Sequence, residues 1–222
     1  MKKLFINALI KYIFGLLLVC LLLFIPANTL NFIYAWIFIC LLFIPMLVVG
    51  ITLMIKNPNL LKRRLDTKEK VKEQKKIILL SGIMFMGGFI IAGLNFKYKL
   101  IMLPNIVVIV SSIIFFMSYI LYGEVLKENT YLSRTIKVDK NQKVIDTGLY
   151  GIVRHPMYAV TIVLFLTIPL ILNSLISFII FLIYPFIIIK RINNEEKILE
   201  KELIGYKEYK KKVKYKLIPF IY

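Results

Sequence analysis

A chain of 222 residues that is 59% hydrophobic, with a mean hydropathy of +0.80, exceeds the ~45–50% apolar content of ordinary globular domains, which excludes a soluble single domain. The Lys and Arg behind the net charge of +18 are spread over every loop assigned below to the cytoplasmic side instead of forming one patch, which argues against nucleic acid as a partner. One histidine and two cysteines, Cys20 and Cys40, both inside apolar runs, make neither a disulfide framework nor a metal-ligand spacing, so no metal is expected.

Met1-Lys2-Lys3 and the apolar stretch behind it resemble a secretory signal. No small-residue cleavage site follows, however, and a second apolar segment begins almost at once, so the stretch reads as a retained first span. Five apolar intervals follow in order. They are Tyr12–Ile25, extended by Leu4–Ile10, then Leu30–Ile55, Ile77–Phe96, Leu100–Tyr122 and Met157–Ile189. Each is long enough for a span of about 20 residues. The fifth is too long for one: its 33 residues would make a helix of about 50 Å against a bilayer core of about 30 Å. Pro169, Asn173, Ser174 and Pro185 lie inside it, and two helices turning at Asn173-Ser174 are predicted.

The polar connector Lys56–Lys76 carries Pro58, three acids and nine bases and reads as partly helical. Beyond the fifth interval Ile198, Leu199, Leu203, Tyr206, Tyr209 and Val213 recur at helical spacing between charges, which predicts an amphipathic helix along the inner membrane surface. Gly205 would loosen it and Pro219 end it. With the Pro26–Asn31, Phe96–Lys99 and Asn173 turns facing outward, 28 of the 30 Lys and Arg fall on the cytoplasmic side, as the positive-inside rule requires. Attraction to anionic headgroups accounts for the rest of their meaning, so membrane lipids are an expected partner. The fold class is therefore an all-α integral membrane protein, with about four transmembrane helices, a C-terminal helical hairpin and an amphipathic interfacial helix.

Chemistry is expected in the longest polar interval, Glu128–Met157, which contains Gly148-Leu149-Tyr150-Gly151-Ile152-Val153-Arg154-His155-Pro156-Met157-Tyr158 and the single histidine. Pro156 suits the first turn of a helix, and Arg154 reads as an interfacial residue snorkelling to the headgroups. The same helix start, with Arg154 and His155 as added donors, also suits an anion such as a carboxylate or phosphate. Some 40 residues on come Arg191, Glu195 and Glu196. Alone they suggest an i,i+4 Arg191–Glu195 surface pair worth a few tenths of a kcal/mol. A hairpin would bring them back beside Arg154-His155, and charged clusters converging at a membrane rim point to function.

These two segments, with Glu128–Arg134, Gly205–Tyr209 and Leu217-Ile218-Pro219, resemble the isoprenylcysteine carboxyl methyltransferase family, related to the membrane phospholipid N-methyltransferases. The likeness covers roughly residues 100–222. It implies a methyltransferase core over 100–222, preceded by N-terminal transmembrane helices over 1–99, with the basic cytoplasmic loop 56–76, which are read from the apolar runs and the charges alone. Within that core are a cofactor loop at 127–156, a hairpin at 157–190 and a C-terminal helix at 191–222. It also implies S-adenosylmethionine as cofactor, contacted by Leu149, Tyr150, Val153, Arg154, His155, Tyr158 and Glu195, with Arg191 and Glu196 carrying the activity. The short form is similar to bacterial members, which implies the cytoplasmic membrane and a site facing the cytoplasm. No Gly-x-Gly-x-x-Gly follows a strand, so a soluble Rossmann-type methyltransferase is not expected.

The implied reaction is methyl transfer to a lipophilic acceptor. A carboxylate is already ionised at neutral pH and needs no base; Arg191 would hold it through a bidentate pair. An amine or thiol must lose a proton, and Glu196 would then be the base. Two other readings remain. One is a membrane reductase of the sterol type, which would need further basic and aromatic residues for NADPH. The other is a non-enzymatic protein or transporter, whose polar site would lie at the bilayer midplane. The natural acceptor and the oligomeric state are not written in the sequence.

Overall fold

Every apolar interval is helical, because a chain at bilayer depth finds no water and must satisfy its own N–H and C=O groups. The structure is a computed structural model and describes residues 1–69, 71–136, 138–139 and 141–222. Its elements in order are α1 (Lys2–Ala27), α2 (Ile33–Lys56), α3 (Pro58–Leu65), α4 (Lys72–Tyr98), α5 (Asn105–Glu128), a 3-10 turn (Gly148–Gly151), α6 (Pro156–Ile171), α7 (Leu175–Phe181), α8 (Tyr184–Glu202) and α9 (Tyr206–Lys212). No strand occurs among the described residues. Among the described residues five segments are long and apolar enough to cross a membrane: α1, α2, α4, α5 and Leu175–Glu202. Large apolar side chains such as Phe14, Leu17, Ile44, Ile113 and Phe186 are exposed along them, as expected where lipid is the solvent.

Helices pack where side chains are small or aromatic. α7 lies so close to α4 that a Cβ on Gly88 would overlap the Phe181 ring, and Ser177 donates to the Gly88 carbonyl at 2.8 Å. Small residues permit such approaches in membranes. Phe85 meets Phe165 at 4.9 Å and Phe181 at 5.3 Å in edge-on geometry, which ties α4, α6 and α7 into one core.

The fifth interval does reverse at Asn173-Ser174. Asn173 takes a left-handed φ of 56° and is buried. Its carbonyl accepts from Asn95 Nδ2 at 3.2 Å and its Oδ1 from the Leu103 N–H. Ser174 caps α7 by accepting the Ser177 N–H. These bonds replace the water a turn would otherwise need. The connector between α2 and α4 is partly helical as expected: Pro58 is at the first position of α3 and Asn57 caps it, accepting from the Leu60 N–H at 3.1 Å.

Two expectations need correction. The fourth helix starts at Asn105, after Pro104, not at Leu100, and extends past Tyr122 to Glu128. The interfacial helix over 191–222 does not exist as such. α8 runs without a break from the membrane segment to Glu202, Gly205 turns the chain at φ 84°, and α9 ends at Lys212. Leu203, Tyr206, Tyr209 and Val213 are buried against Val138, Val144 and Leu199. The apolar face was legible, but its partner is the chain's own loop and not the bilayer, because that loop returns over the same end of the bundle.

Candidate active site

α5 ends at Glu128, whose two carboxylate oxygens accept the Leu149 N–H at 3.0 and 3.2 Å. Gly148 makes this possible: its φ is +50°, and a Cβ there would overlap the Glu128 carboxylate. The 3-10 turn then leads through Val153 to Arg154 and His155, and Pro156 opens α6. Gly148→Ala is expected to cost about 1–3 kcal/mol of backbone strain besides the displaced carboxylate, which a lowered Tm in detergent would register; an unchanged Tm would remove the turn from the set of constrained features.

Arg154 is not a snorkelling residue. It is 5% exposed, since the C-terminal segment folds over it. Its Nε donates to Glu196 Oε1 at 2.7 Å, and its Nη1 to the Val213 and Lys214 carbonyls at 2.7 Å each. The backbone N–H groups of Arg154 and His155 donate to the Tyr215 and Lys216 carbonyls, both at 2.9 Å. His155 Nε2 lies 3.2 Å from the same Glu196 oxygen; a carboxylate only accepts, so that nitrogen carries the proton. Lys210 and Lys216 stand 3.7 and 3.8 Å from Glu196 Oε2. A buried carboxylate facing four cationic or donor groups stays ionised.

A second chain of bonds runs alongside. Arg191 Nε donates to the Tyr158 hydroxyl at 2.8 Å, and that hydroxyl donates to Glu195 Oε2 at 2.6 Å. Arg191 thus reaches Glu195 through Tyr158 and not by the direct i,i+4 pair, while its Nη2 donates to the Arg134 carbonyl at 2.7 Å. The two charged clusters, about 40 residues apart in sequence, therefore meet at one end of the bundle.

Between them lies a cleft. Tyr150, Arg154, His155, Tyr158 and Glu195 line it, together with Asn129, Ser133, Thr135, Gln142, Leu199, Leu203, Tyr206 and Tyr209. Leu149, in the 3-10 turn, and Val153, just after it, are not among the lining residues. Glu196 supports Arg154 and His155 from beneath, and Arg191 stands behind Tyr158. Sequence reasoning missed Tyr206 and Tyr209 as wall residues, although their motif was in view. Tyr209 donates to the Tyr150 carbonyl at 2.7 Å. Tyr206 is 4% exposed, and its hydroxyl has no hydrogen-bond partner among the described residues. Burial, with Glu196 and Glu195 nearby, pushes the pKa of Tyr206 up, so it remains a donor.

Residues 108–201 match the family model described as Isoprenylcysteine carboxyl methyltransferase (ICMT) family. This segment is an ICMT-family domain. It holds α5 almost entire, the loop, α6, α7 and nearly all of α8, and with them every site residue expected from the sequence, while the wall residues Leu203, Tyr206 and Tyr209 lie beyond it. The ICMT-family domain does not include α3 or α9. No curated protein matches the chain. The ICMT family is one of methyltransferases, and with five apolar helices of spanning length the chain is an integral membrane protein built around a membrane methyltransferase domain.

Proposed function

We propose that the protein is an S-adenosylmethionine-dependent methyltransferase acting on a lipophilic acceptor, with the cofactor held in the cleft between residues 129–136 and 142–145, the start of α6, and α8–α9. The observation that carries this reading is the buried Tyr206 hydroxyl on the cleft wall, which has no hydrogen-bond partner among the described residues. A buried donor without an acceptor costs about 1–3 kcal/mol, and a ligand acceptor atom removes that cost. The remaining lining suits the cofactor's parts. Glu195 offers a carboxylate to a cationic sulfonium or ammonium, tyrosine faces attract the same charges, and Arg154, His155, Asn129 and Gln142 supply donors or acceptors for the polar ends. Leu199 and Leu203 give an apolar wall. The cleft's water-accessible space is about 90 Å³, below the ~300 Å³ at which ligand pockets begin. Binding a nucleoside-sized molecule therefore requires the walls of this cleft to move apart.

When bound, the cofactor supplies a methyl group on a sulfonium that leaves as a neutral thioether, so the protein's work is alignment and charge placement. Arg191 orients Tyr158, and Tyr158 fixes Glu195. Arg154 and Glu196 hold the C-terminal wall against the start of α6, with Arg154 and His155 as the lining members of that cluster. Both bases on the cleft wall are engaged: Glu195 accepts from Tyr158, and His155 Nε2 donates to Glu196. Glu196 is behind the wall, where its cations make it a poor proton acceptor. An acceptor that arrives ionised, such as a carboxylate, fits this better than an amine or thiol. The basic loops support a site that faces the cytoplasm under the positive-inside rule, and the reading takes the cytoplasmic membrane as its location.

The test is Tyr206→Phe in full-length protein in nanodiscs. Removing an unpaired hydroxyl should leave the ligand-free Tm equal or higher, while S-adenosylmethionine affinity falls about 10-fold, the equivalent of ~1.4 kcal/mol. Titration with NADPH should give no stabilisation. Unchanged affinity, or stabilisation by NADPH alone, would overturn the assignment.

A further inference from the structure

Past the far wall of the cleft the backbone makes one more turn, residues 217–222. The Leu217 and Ile218 N–H groups donate to the Tyr222 carbonyl at 2.8 and 2.9 Å, and the Tyr222 N–H donates back to the Ile218 carbonyl at 3.1 Å. The turn is thus fixed, and what it holds outward is apolar. Phe220 is 87% exposed, Ile221 77% and Ile218 50%. Phe220 also keeps a left-handed φ of 66°, and the Tyr215 ring, 5.4 Å from its own, leaves most of it bare. A strained backbone and three apolar side chains facing water are both costly.

The level of the turn says what covers it. Leu217 is buried in the same apolar core as Tyr158, Ile188 and Ile192. The Lys216 amine donates to Asn193 Oδ1 at 2.7 Å, and Asn193 lies three residues beyond Lys190, the first charge after the apolar run of α8. That is about 4.5 Å along the helix, whereas apolar faces at an interface reach about 5–10 Å into the border between head groups and acyl chains. On the other side the Arg154 and His155 N–H groups, at the start of apolar α6, donate to the Tyr215 and Lys216 carbonyls. Phe186, two turns before Asn193 on the same face of α8, is 72% exposed and carries the bare apolar surface up toward the turn. Lys211 and Lys214, just ahead of it, are exposed and match an anionic leaflet.

We propose that Ile218, Phe220 and Ile221 form a wedge seated in the lipid leaflet beside α6 and α8, and that this seating holds the 213–217 segment over the cleft. The link is short. The Val213 and Lys214 carbonyls accept from Arg154, which lines the cleft, and Tyr206 and Tyr209 of the same wall precede them in α9. A single turn falls short of the ~20–30 residues a side that a stable protein interface uses, but it suits a bilayer already in contact with α6 and α8. Only the cofactor's part in this rests on the methyltransferase reading.

The experiment places full-length Phe220→Trp and Ile204→Trp in nanodiscs of phosphatidylcholine and phosphatidylglycerol, one chain per disc, with and without bromine on the acyl chains. The Trp36 signal of wild type is subtracted. Ile204, 94% exposed between α8 and α9, is the control farther from Lys190. The indole at position 220 should be quenched by bromolipid at least about twofold more than the one at 204, and it should be shielded from iodide. In Phe220→Asp combined with Ile221→Asp, trypsin cleavage between Lys210 and Lys216 should accelerate about 10-fold. S-adenosylmethionine affinity should fall about 10-fold with it, as the closed fraction drops, while Phe220→Leu should match wild type in both. An indole at 220 that iodide reaches would overturn the inference. So would one shielded from iodide yet untouched by bromolipid, since protein then covers the turn. A folded double variant as protease-resistant as wild type, or one cleaved faster that binds S-adenosylmethionine as wild type does, would overturn it as well. Quenching and protease resistance are read without cofactor. If both hold and wild type does not bind S-adenosylmethionine, only the methyltransferase reading falls; if it binds and the quenching is absent, only this inference falls.

Discussion

Arg154→Met is expected to free the C-terminal wall of the site. The substitution keeps the apolar stem but removes the Nε bond to Glu196 and the two bonds to the Val213 and Lys214 carbonyls. A buried carboxylate deprived of its main partner costs about 3–5 kcal/mol, and His155, Lys210 and Lys216 retain enough attraction to keep the loss at the lower end. Two backbone bonds to Tyr215 and Lys216 survive, so α6 should still insert while the segment carrying Tyr206 and Tyr209 loosens. Limited trypsinolysis reads this directly: cleavage between Lys210 and Lys216 should accelerate at least 10-fold, and S-adenosylmethionine binding should be lost with it. A variant as protease-resistant as wild type with turnover intact would show that the clamp is not what holds the wall.

Arg191→Ala should act differently, on turnover more than on binding. Arg191 does not line the cleft; it holds the Tyr158 hydroxyl, which holds Glu195. Misplacing a charge by about 1 Å can cost 10²-fold in rate, so a drop in kcat of about 100-fold is expected while S-adenosylmethionine affinity changes less than 10-fold. Tyr158→Phe breaks the same chain one step later and should give a loss of similar size. Because the two side chains act as a unit, the double variant should be scarcely worse than either alone. Multiplicative losses would mean that Arg191 acts on the reaction independently of Tyr158.

Much of this architecture is legible without coordinates. Apolar runs near 20 residues leave the backbone no choice but helix, and an over-long fifth run interrupted by Asn173-Ser174 has to reverse. That reversal alone predicts that Arg154-His155 and Arg191–Glu196 share one end of the bundle. The pairing within that end was not legible. Helical spacing suggests Arg191 with Glu195, whereas Glu196 faces Arg154 and His155, and Arg191 faces Tyr158. Spacing along one helix says which side chains share a face, not what the neighbouring element presents to it.

The same distinction explains the C-terminus. The alternation of Leu199, Leu203, Tyr206, Tyr209 and Val213 determined that this stretch would bury one face, since exposed apolar area is costly wherever water reaches it. Two surfaces can cover such a face at the membrane border, the lipid and the chain itself. Only the tertiary structure decided between them, because the loop carrying Val138 and Val144 is anchored above α8 by contacts distant in sequence, Lys212 to Asp146 and Tyr209 to Tyr150. Local pattern determines what must be hidden; long-range closure determines what hides it.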